Sequence, residues 1–253
     1  MLTIERRNKI LEILKTDGRV VVGDLSTMFS VTEETIRRDL EKLEMEGFAK
    51  KTYGGAIIAD NATVDLPFLI RKQSNVKSKE CIAALVCAMI DAGDRLMLDA
   101  SSTAVYIAKQ LKNKKNLTVI TNSIEIMLEL SDIAGWKIIS TGGTLREGSL
   151  SLVGYQAEKM ISTFHVDKSI ISCKGIDTGK GITDANEMDA HIKKLMLESS
   201  NVKILAVDQT KFNRISFTKI EDISCIDTIV TDKKPSEDWR NIFEANNVDY
   251  RYK

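Results

Sequence analysis

The stretch Thr32-Glu-Glu-Thr-Ile-Arg-Arg-Asp-Leu-Glu-Lys-Leu43 decides how the first part of the chain folds. Ile36, Leu40 and Leu43 recur at a spacing that places them on one face of a helix, and that face must pack on a partner. Thr32 can cap this helix, because its hydroxyl can accept a backbone N–H of the first turn. The remaining faces carry hydroxyls and guanidinium groups, which suit the major groove of DNA. An ordinary solvent-exposed helix fits the stretch equally well, so the neighbouring segments decide between the two interpretations.

The segments around this helix predict a helix-turn-helix. Residues 4–15 have helical periodicity and form the first helix. Residues 23–29 form the second, in which we expect Met28 to face inward. Ser30-Val31 is then a tight turn before the third helix, and Gly47 is expected to end that helix.

A basic hairpin is predicted directly after the three helices. Residues 48–58 are typical of a hairpin with the glycine pair Gly54-Gly55 at its tip. Three helices followed by a basic hairpin form a winged helix-turn-helix, and lysines of the wing can meet phosphates beside the groove. The residues predicted to contact double-stranded DNA are Thr32, Thr35, Arg37, Arg38, Lys42, Lys50, Lys51, Tyr53 and Gly54.

The overall composition limits how such a protein can bind DNA. The chain has 253 residues, with 36 Lys and Arg against 36 Asp and Glu, so DNA binding must come from local basic clusters. The first residues lack a signal-type apolar core and no apolar run reaches transmembrane length, which favours a cytoplasmic protein without a membrane partner. The four cysteines lack metal-ligand spacing, and His165 and His191 each lack a neighbouring second ligand. We therefore expect neither a metal nor a cofactor.

The N-terminal part resembles a known family. Arg6, Ile10 and Leu14, followed by residues 32–40, are similar to the N-terminal signature of the DeoR family of bacterial transcriptional regulators. Residues 51–56 are similar to the family's wing, where His commonly stands in place of Tyr53. The resemblance implies an operator-binding domain. Asp39 lies at the edge of the apolar stripe and is expected to form an ion pair within the domain, because an acid facing phosphate would repel it.

A change of pattern marks the domain boundary. Residues 1–59 are predicted to form the DNA-binding domain, residues 60–75 a linker, and residues 76–253 the second domain. The linker segment lacks helical periodicity and contains Pro67, which breaks any continuous helix. We expect it to dock on the second domain through Phe68. A charged surface linker is the alternative.

The second part alternates between helix-length segments and short apolar runs. Six runs are predicted as strands, over residues 95–98, 117–120, 136–140, 169–172, 202–207 and 226–230. They are rich in β-branched residues, which favours a parallel sheet buried on both faces. The predicted fold class is therefore α/β, with an N-terminal winged helix-turn-helix followed by a doubly wound α/β domain.

The ends of these strands carry polar residues that suit a phosphorylated ligand. Ligands of doubly wound sheets bind beyond the carboxyl ends of the strands, where hydroxyls, glycines and helix N-termini can hold an anion. Each motif alone has a simpler explanation, since Ser101-Ser102-Thr103 can cap a helix and Gly142-Gly143 can form a turn. Together they predict a site. Its candidate residues are Asp99, Ser101, Ser102, Thr103, Asn122, Gly142, Gly143, Lys174, Gly175, Asp177, Asp208 and Lys211.

This half also resembles the effector domain of the DeoR family. Residues 99–103, 142–143, 175–177 and 208–211 match that domain's motifs, whose fold is similar to ribose-5-phosphate isomerases and CoA transferases. Lys174 stands where the family usually has a small residue. The resemblance implies that a phosphorylated sugar binds here and controls DNA binding, generally by releasing the DNA.

Two other classes of protein remain to be weighed. A sugar-phosphate isomerase fused to a DNA-binding domain would need a base, which residues 186–189 could supply, although acids at a helix start commonly complement the helix dipole. A structural DNA-bending protein would not need the elaborated second domain. We therefore expect no catalytic residues and a cytoplasmic repressor of a sugar-metabolism operon, acting as a homodimer or homotetramer, because one winged helix makes few contacts.

Overall fold

The computed structural model describes residues 2–45, 48–58 and 65–253. Its residues form two compact units that divide between Pro67 and Phe68. The first unit contains α1 (Thr3–Asp17), β1 (Arg19–Val21), α2 (Val22–Phe29), α3 (Glu33–Met45), β2 (Ala49–Thr52) and β3 (Gly55–Ile58). Its strands form an antiparallel sheet in the order β1-β3-β2. This arrangement is a winged helix-turn-helix. The predicted helix end at Gly47 lies outside the described residues.

The apolar stripe of α3 builds the core of this unit. Ile36, Leu40 and Leu43 are buried and pack with Ile10 and Leu14 of α1. Burying one such side chain contributes about 1.5–3 kcal/mol, so the stripe outweighs the modest helix propensity of the β-branched residues around it. The expectation for Met28 was wrong, because its side chain is 62% exposed. α2 is short, and Val22 and Leu25 already provide its buried face.

The second unit contains α4–α10 and β4–β15. Its helices are α4 (Phe68–Gln73), α5 (Val76–Cys87), α6 (Ser102–Leu111), α7 (Ile124–Leu130), α8 (Tyr155–Ser162), α9 (Glu187–Glu198) and α10 (Glu237–Ala245). Its strands are β4 (Arg95–Leu98), β5 (Thr118–Thr121), β6 (Lys137–Ser140), β7 (Thr144–Arg146), β8 (Ser151–Val153), β9 (Val166–Ile171), β10 (Gly175–Asp177), β11 (Gly181–Asp184), β12 (Ser200–Ala206), β13 (Thr218–Glu221), β14 (Thr228–Val230) and β15 (Asp249–Arg251).

A seven-stranded parallel sheet forms the centre of this unit. Its strand order is β15-β14-β12-β9-β4-β5-β6. The chain first runs outward from β4 to β6, then returns to place β9 beside β4 and continues in the other direction. The order therefore reverses between β4 and β9, and in such sheets the crevice at this reversal is the preferred ligand site. The seventh strand, β15, was not predicted, because Asp-Tyr-Arg is short and polar and lies at the sheet's edge.

The two faces of the sheet carry separate cores. Along β4, Leu96 and Leu98 pack in one cluster with residues of α5, α6 and α7, while Met97 packs in the other with residues of α8, α9 and α10. Alternating side chains of one strand thus reach opposite faces. Both faces are covered by helices, which explains why the strands were recognisable as apolar runs.

The predicted linker is only partly described. Residues 60–64 lie outside the described residues, whereas Phe68–Gln73 forms the short helix α4. Phe68 is buried in the core of the second unit together with Ile82 and Val86. Among the described helices, none is both long enough and apolar enough to cross a membrane.

Candidate DNA-binding and effector sites

The third helix has the cap that the sequence predicts. Thr32 Oγ1 accepts a hydrogen bond from Thr35 N at 3.3 Å and lies 2.9 Å from Thr35 Oγ1. The helix buries Ile36 and Leu40. Arg37, Arg38 and Lys42 remain exposed. The predicted base-reading side chains therefore lie on the solvent side of α3.

Asp39 fixes the orientation of this helix. Its Oδ2 lies 2.5 Å from Arg6 Nε of α1, and both side chains are buried. Arg7 Nε lies 3.7 Å from the other carboxylate oxygen. The expected ion pair within the unit is confirmed, so this acid does not face phosphate.

The exposed arginines of α3 have partners on their own helix. Arg37 contacts Glu33 at 2.8 Å, and Arg38 contacts Glu34 at 3.3 Å. Exposed i,i+4 pairs contribute only about 0.3–0.5 kcal/mol, so DNA can replace these carboxylates at little cost. Each pair holds its guanidinium group along the exposed face. It leaves N–H donors of that group available for further hydrogen bonds.

The wing presents its predicted residues to solvent. Lys50, Lys51 and Tyr53 are all exposed. Gly54 has φ 87°, a left-handed conformation that favours glycine. Gly55 belongs to β3 rather than to the tip, and a Cβ there would lie 2.0 Å from the Val20 carbonyl oxygen. This close approach requires a glycine.

Contacts from the wing also reach α3. Lys51 N donates to Glu44 Oε1 at 2.7 Å, and Lys51 Nζ lies 3.5 Å from Glu41 Oε1. The hairpin and α3 are thereby held together within the unit. The lysines and arginines predicted to contact DNA are thus all exposed, and the wing that carries some of them is joined to α3.

Asp99 lies at the reversal point of the large sheet. It follows β4 and is fully buried. Its Oδ1 accepts from Ser101 N at 3.2 Å, and its Oδ2 accepts from Ser172 N at 3.0 Å. Since Ser172 follows β9, one carboxylate ties together the two loops that border the crevice. Its oxygens are already engaged by the protein.

Lys193 of α9 completes a buried ion cluster that the sequence analysis did not find. Its Nζ lies 3.4 Å from Asp99 Oδ2 and also contacts Asp184 Oδ2. Burial alone would lower the pKa of Lys193, but the charges of Asp184 and Asp99 outweigh it and raise that pKa. Burial would raise the pKa of Asp184, yet Lys193 and Lys174 lower it below its ordinary value. Lys193 and Asp184 are therefore charged at neutral pH.

Further charged groups converge on Cys173. Its thiol is influenced by the charges of Lys193, Asp184, Lys211 and Asp208. Burial raises the pKa of Cys173 to about 12, so the group stays a neutral thiol and is no nucleophile. Asp208 and Lys211, which follow β12, thus lie near Cys173, which follows β9.

Lys211 stands out among these cations. It ends the 3-10 turn Gln209–Lys211 after β12 and is half-buried. Within the described part of the chain, it has no ion-pair partner. An ammonium group in this state can take up an anion without losing an existing pair.

The motif Ser101-Ser102-Thr103 after β4 both caps α6 and supplies the first turn of that helix. Ser101 Oγ accepts from Ala104 N at 3.0 Å, so Ser101 caps α6, as the simpler explanation of this motif proposed. Ser102 and Thr103 follow in the first turn, where backbone N–H groups and the helix dipole favour an anion. Both are nearly buried beside the crevice.

Two of the predicted acids are occupied by their own turns. Asp208 accepts from Thr210 N at 2.9 Å, and Asp177 accepts from Gly179 N at 2.9 Å and from Lys180 N at 3.0 Å. Asp177 also lies at the far end of the β10–β11 hairpin from Gly175. The structure therefore does not bring Asp177 to the crevice, because the hairpin carries it away from the end of β9.

Asn122 has one free acceptor. Its Nδ2 donates to Leu152 O at 3.1 Å, which fixes the orientation of the amide, because a carbonyl only accepts. Its Oδ1 is buried and has no hydrogen-bond partner in the described structure. An unpaired buried acceptor costs about 1–3 kcal/mol. Asn122 follows β5, directly beside the end of β4.

Two of the predicted glycines, Gly143 and Gly175, allow close packing. A Cβ on Gly143 would lie 2.6 Å from Val153 O, and one on Gly175 would lie 2.3 Å from Arg214 O. Gly142 has φ 65°. Gly142 and Gly143 follow the edge strand β6, about 10 Å from the end of β4 at ordinary strand spacing. Gly142 and Gly143 thus lie two strands away from Asp99.

Two family models match the chain. Residues 6–62 match the DeoR-like helix-turn-helix domain, and residues 74–233 match the DeoR C terminal sensor domain. The chain belongs to the DeoR family. Among the described residues of this DeoR-family protein, no group of three or more His, Cys, Asp or Glu side chains is arranged to hold a metal ion.

Named relatives of this DeoR-family chain are transcriptional regulators. It is 44% identical to the HTH-type transcriptional regulator YulB of Bacillus subtilis, over 92% of this chain and 90% of the relative. It is 34% identical to the putative aga operon transcriptional repressor of Escherichia coli O157:H7, over 91% and 87%. It is 32% identical to the glycerol-3-phosphate regulon repressor of Escherichia coli K12, over 93% of each chain.

A likeness to solved structures is weaker. A ribose 5-phosphate isomerase from Methanocaldococcus jannaschii is 14% identical, with a TM-score of 0.41 over 55% of each chain. Likeness at this level says nothing about activity.

One sequence signal could have revealed the buried cluster of this DeoR-family sensor domain. Lys193 lies between Ala190 and Met196 on the apolar face of α9. A lysine at such a position must find a buried carboxylate, because an unpaired buried charge is costly. The identity of that carboxylate, however, depends on the strand order.

Proposed function

We propose that this DeoR-family chain is a cytoplasmic transcriptional repressor that binds double-stranded operator DNA under the control of a phosphorylated sugar. The observation that carries the proposal is the pairing of an exposed recognition helix and wing with a polar crevice at the reversal point of a parallel sheet. The exposed helix and wing suit DNA, and the polar crevice suits a small anionic ligand.

The DNA-binding part rests on the exposed face of α3. Arg37 and Arg38 project from it, and Lys51 and Tyr53 project from the wing. In winged helix-turn-helix proteins the recognition helix enters the major groove, where arginine reads guanine. One such unit covers a single half-site. We therefore propose a homodimer or homotetramer that binds half-sites spaced by whole helical turns.

The effector part rests on the groups around the ends of β4 and β12. Lys211 lacks an ion-pair partner in the described structure, and Ser102 and Thr103 lie in the first turn of α6. A phosphate can accept hydrogen bonds from all three residues. Asn122 Oδ1 needs a donor, which a sugar hydroxyl provides. The ligand thus carries both a phosphate and hydroxyls.

The relatives support the same class of role. One is named for an operon, and another is named for glycerol 3-phosphate, which is a small phosphorylated polyol. A further relative is named the L-fucose operon activator, so the direction of regulation varies among similar proteins. Repression is proposed here because several of the named relatives are repressors.

The state of the acids argues against an isomerase. A general base must be free to take a proton, yet Lys193 pairs with both Asp99 and Asp184. Asp189 accepts from Arg146 at 2.6 Å and from Ser151 at 2.8 Å. These contacts occupy the carboxylate oxygens that a general base would need to keep free.

Fluorescence anisotropy tests this proposal. A duplex that the protein selects from a random library is titrated with the full chain, alone and with glucose 6-phosphate, fructose 6-phosphate, ribose 5-phosphate or glycerol 3-phosphate. We expect at least one phosphorylated compound to weaken DNA binding about tenfold or more, and its unphosphorylated counterpart to have no effect. Each compound is recovered and analysed afterwards. Conversion of the active compound at a catalytic rate would favour the isomerase, and no response to any of the four would contradict the proposed control.

A further inference from the structure

Residues Gly148–Leu152, here called the strap, comprise the end of the turn after β7 and the first two residues of β8. At one end, the strap contacts the residue where the second unit begins, because Phe68 N donates to Gly148 O at 2.6 Å. Phe68 is buried, so this contact is held in place by the core. The chain leads from Phe68 through Pro67 towards the DNA-binding unit.

At its other end, the strap contacts two residues beside the crevice. Leu152 N donates to Asn122 O at 2.7 Å, and Leu152 O accepts from Asn122 Nδ2 at 3.1 Å. Ser151 Oγ donates to Asp189 Oδ1 at 2.8 Å. Asp189 lies in the first turn of α9, the helix that also carries Lys193. Movement of either Asn122 or α9 therefore has to move the strap.

The middle of the strap is strained. Leu150 has φ 56°, a left-handed conformation that is unusual for a residue with a branched side chain. Its carbonyl accepts from Ile124 N at 3.1 Å, and Ile124 is the first residue of α7. Backbone strain of this kind persists only where surrounding contacts impose it, and it is concentrated at switch regions. Release of those contacts would let the strap adopt a second arrangement.

Polar contacts hold α4, the helix that begins at Phe68, against neighbouring helices. Lys72 of α4 pairs with Glu125 of α7, and Tyr106 of α6 donates to Lys72 O at 3.1 Å. Lys79 donates to the carbonyl oxygens of Arg71, at 2.5 Å, and Ser74. α4 is thus attached to the two helices that follow β4 and β5. A change at those strand ends reaches α4 through hydrogen bonds as well as through the strap.

We propose that the strap is the regulatory connection of this protein: a ligand at the strand ends displaces Asn122 or α9, and the strap passes the displacement to Phe68. This inference rests on the proposed function, because it assumes that a phosphorylated sugar binds at the crevice. To the proposed function, this inference adds the route by which ligand binding alters the DNA-binding unit. A ligand hydroxyl starts this route by donating a hydrogen bond to the unpaired Asn122 Oδ1.

The test separates ligand binding from its effect on DNA binding. The coupling ratio compares two dissociation constants of the full chain for the selected duplex. It is the constant measured with the probe divided by the constant measured without the probe. The probe is whichever of glucose 6-phosphate, fructose 6-phosphate, ribose 5-phosphate and glycerol 3-phosphate shifts wild-type binding most. Probe affinity is measured separately by calorimetry. A residue that only transmits the effect changes the coupling ratio without changing the affinity of the DNA-free protein for the probe.

Two strap variants and one matched control are compared. Ser151→Ala removes the link to Asp189, and Leu150→Gly removes the strain. In both we expect the coupling ratio to fall at least fivefold while probe affinity stays within threefold. The control, Asp167→Asn, breaks a carboxylate contact outside the strap, with Arg95 at 2.7 Å, and should keep the wild-type ratio within twofold.

Hydrogen exchange on the wild type provides a measurement that needs no variant. Adding the probe should change the exchange rates of the Phe68 and Leu152 amides. Wild-type ratios in both strap variants, or unchanged exchange at both amides in a protein that responds to the probe, would overturn the inference alone. A wild type that responds to none of the four compounds would overturn the proposed function and the role of the strap with it.

Discussion

Lys193 Nζ lies 3.4 Å from Asp99 Oδ2 and contacts Asp184 Oδ2, so one ammonium group joins α9 to the loop after β4 and to the end of β11. All three side chains are buried. The cluster lies at the reversal point of the sheet, and we propose that Lys211, which has no ion-pair partner among the described residues, is a cation that meets an anionic ligand.

Lys193→Met should destabilise the second unit strongly. The substitution keeps the length of the side chain but leaves two carboxylates buried without their cation, which costs about 3–5 kcal/mol. Denaturant unfolding followed by circular dichroism measures the loss. Lys211→Ala is the matched control and should change the free energy of unfolding by less than about 0.5 kcal/mol, because Lys211 has no ion-pair partner in the described structure. Equal stability of wild type and Lys193→Met would contradict the charged state of the cluster.

Acid should weaken the contact between Asp167 and Arg95. Hydrogen bonds from Arg95 lower the pKa of Asp167 to about 2, below its ordinary value of 3.8. A carboxyl with a lowered pKa contributes stability above its unfolded-state pKa and loses that contribution as the pH falls through its folded-state pKa. Stability should therefore fall between about pH 4 and pH 2, and Asp167→Asn should show a smaller fall over that range. Asp132→Asn, at an exposed position, should keep the wild-type pH profile.

Arg38→Ala and Lys51→Ala should weaken DNA binding in different ways. If Arg38 reads a base, its loss should cost about 1–3 kcal/mol on the selected duplex and relax specificity at one position. If Lys51 contacts phosphate, its loss should weaken binding to all sequences and reduce the salt slope by about one unit. Anisotropy titrations at several salt concentrations distinguish the two. Wild-type affinity in both variants would show that this face of α3 and the wing does not contact DNA.

Lys211→Ala should impair the response to the ligand while sparing DNA binding. Loss of one charge-assisted contact to phosphate should remove roughly 1.5–3 kcal/mol, or about tenfold to a hundredfold in ligand affinity. Calorimetry with the active sugar phosphate measures this change, and anisotropy without ligand should give the wild-type DNA affinity. Lys180→Ala replaces an exposed lysine in the β10–β11 turn and is the control. Normal ligand affinity in Lys211→Ala would place the phosphate elsewhere.

Elements whose own residues carry a clear pattern were predictable from the sequence. The stripe of Ile36, Leu40 and Leu43 predicted α3, and the cap at Thr32 was found with it. The apolar runs predicted the strands of the large sheet, because a strand buried on both faces needs apolar residues throughout. The strand β15 was missed, since Tyr250 is its one aromatic residue between two charged ones.

By itself, the sequence determined the two kinds of unit, the family, and the presence of polar residues after most of the strands of the large sheet. Only the tertiary structure decided which of those residues meet. Strand order placed β9 beside β4, which brought Ser172 to Asp99, and it placed Lys193 between two acids. The same folding carried Asp177 away on a hairpin. The physical reason is that helices and strands follow from interactions between near neighbours in the chain, whereas buried ion pairs and hydrogen bonds join residues whose proximity results from the packing of the whole sheet.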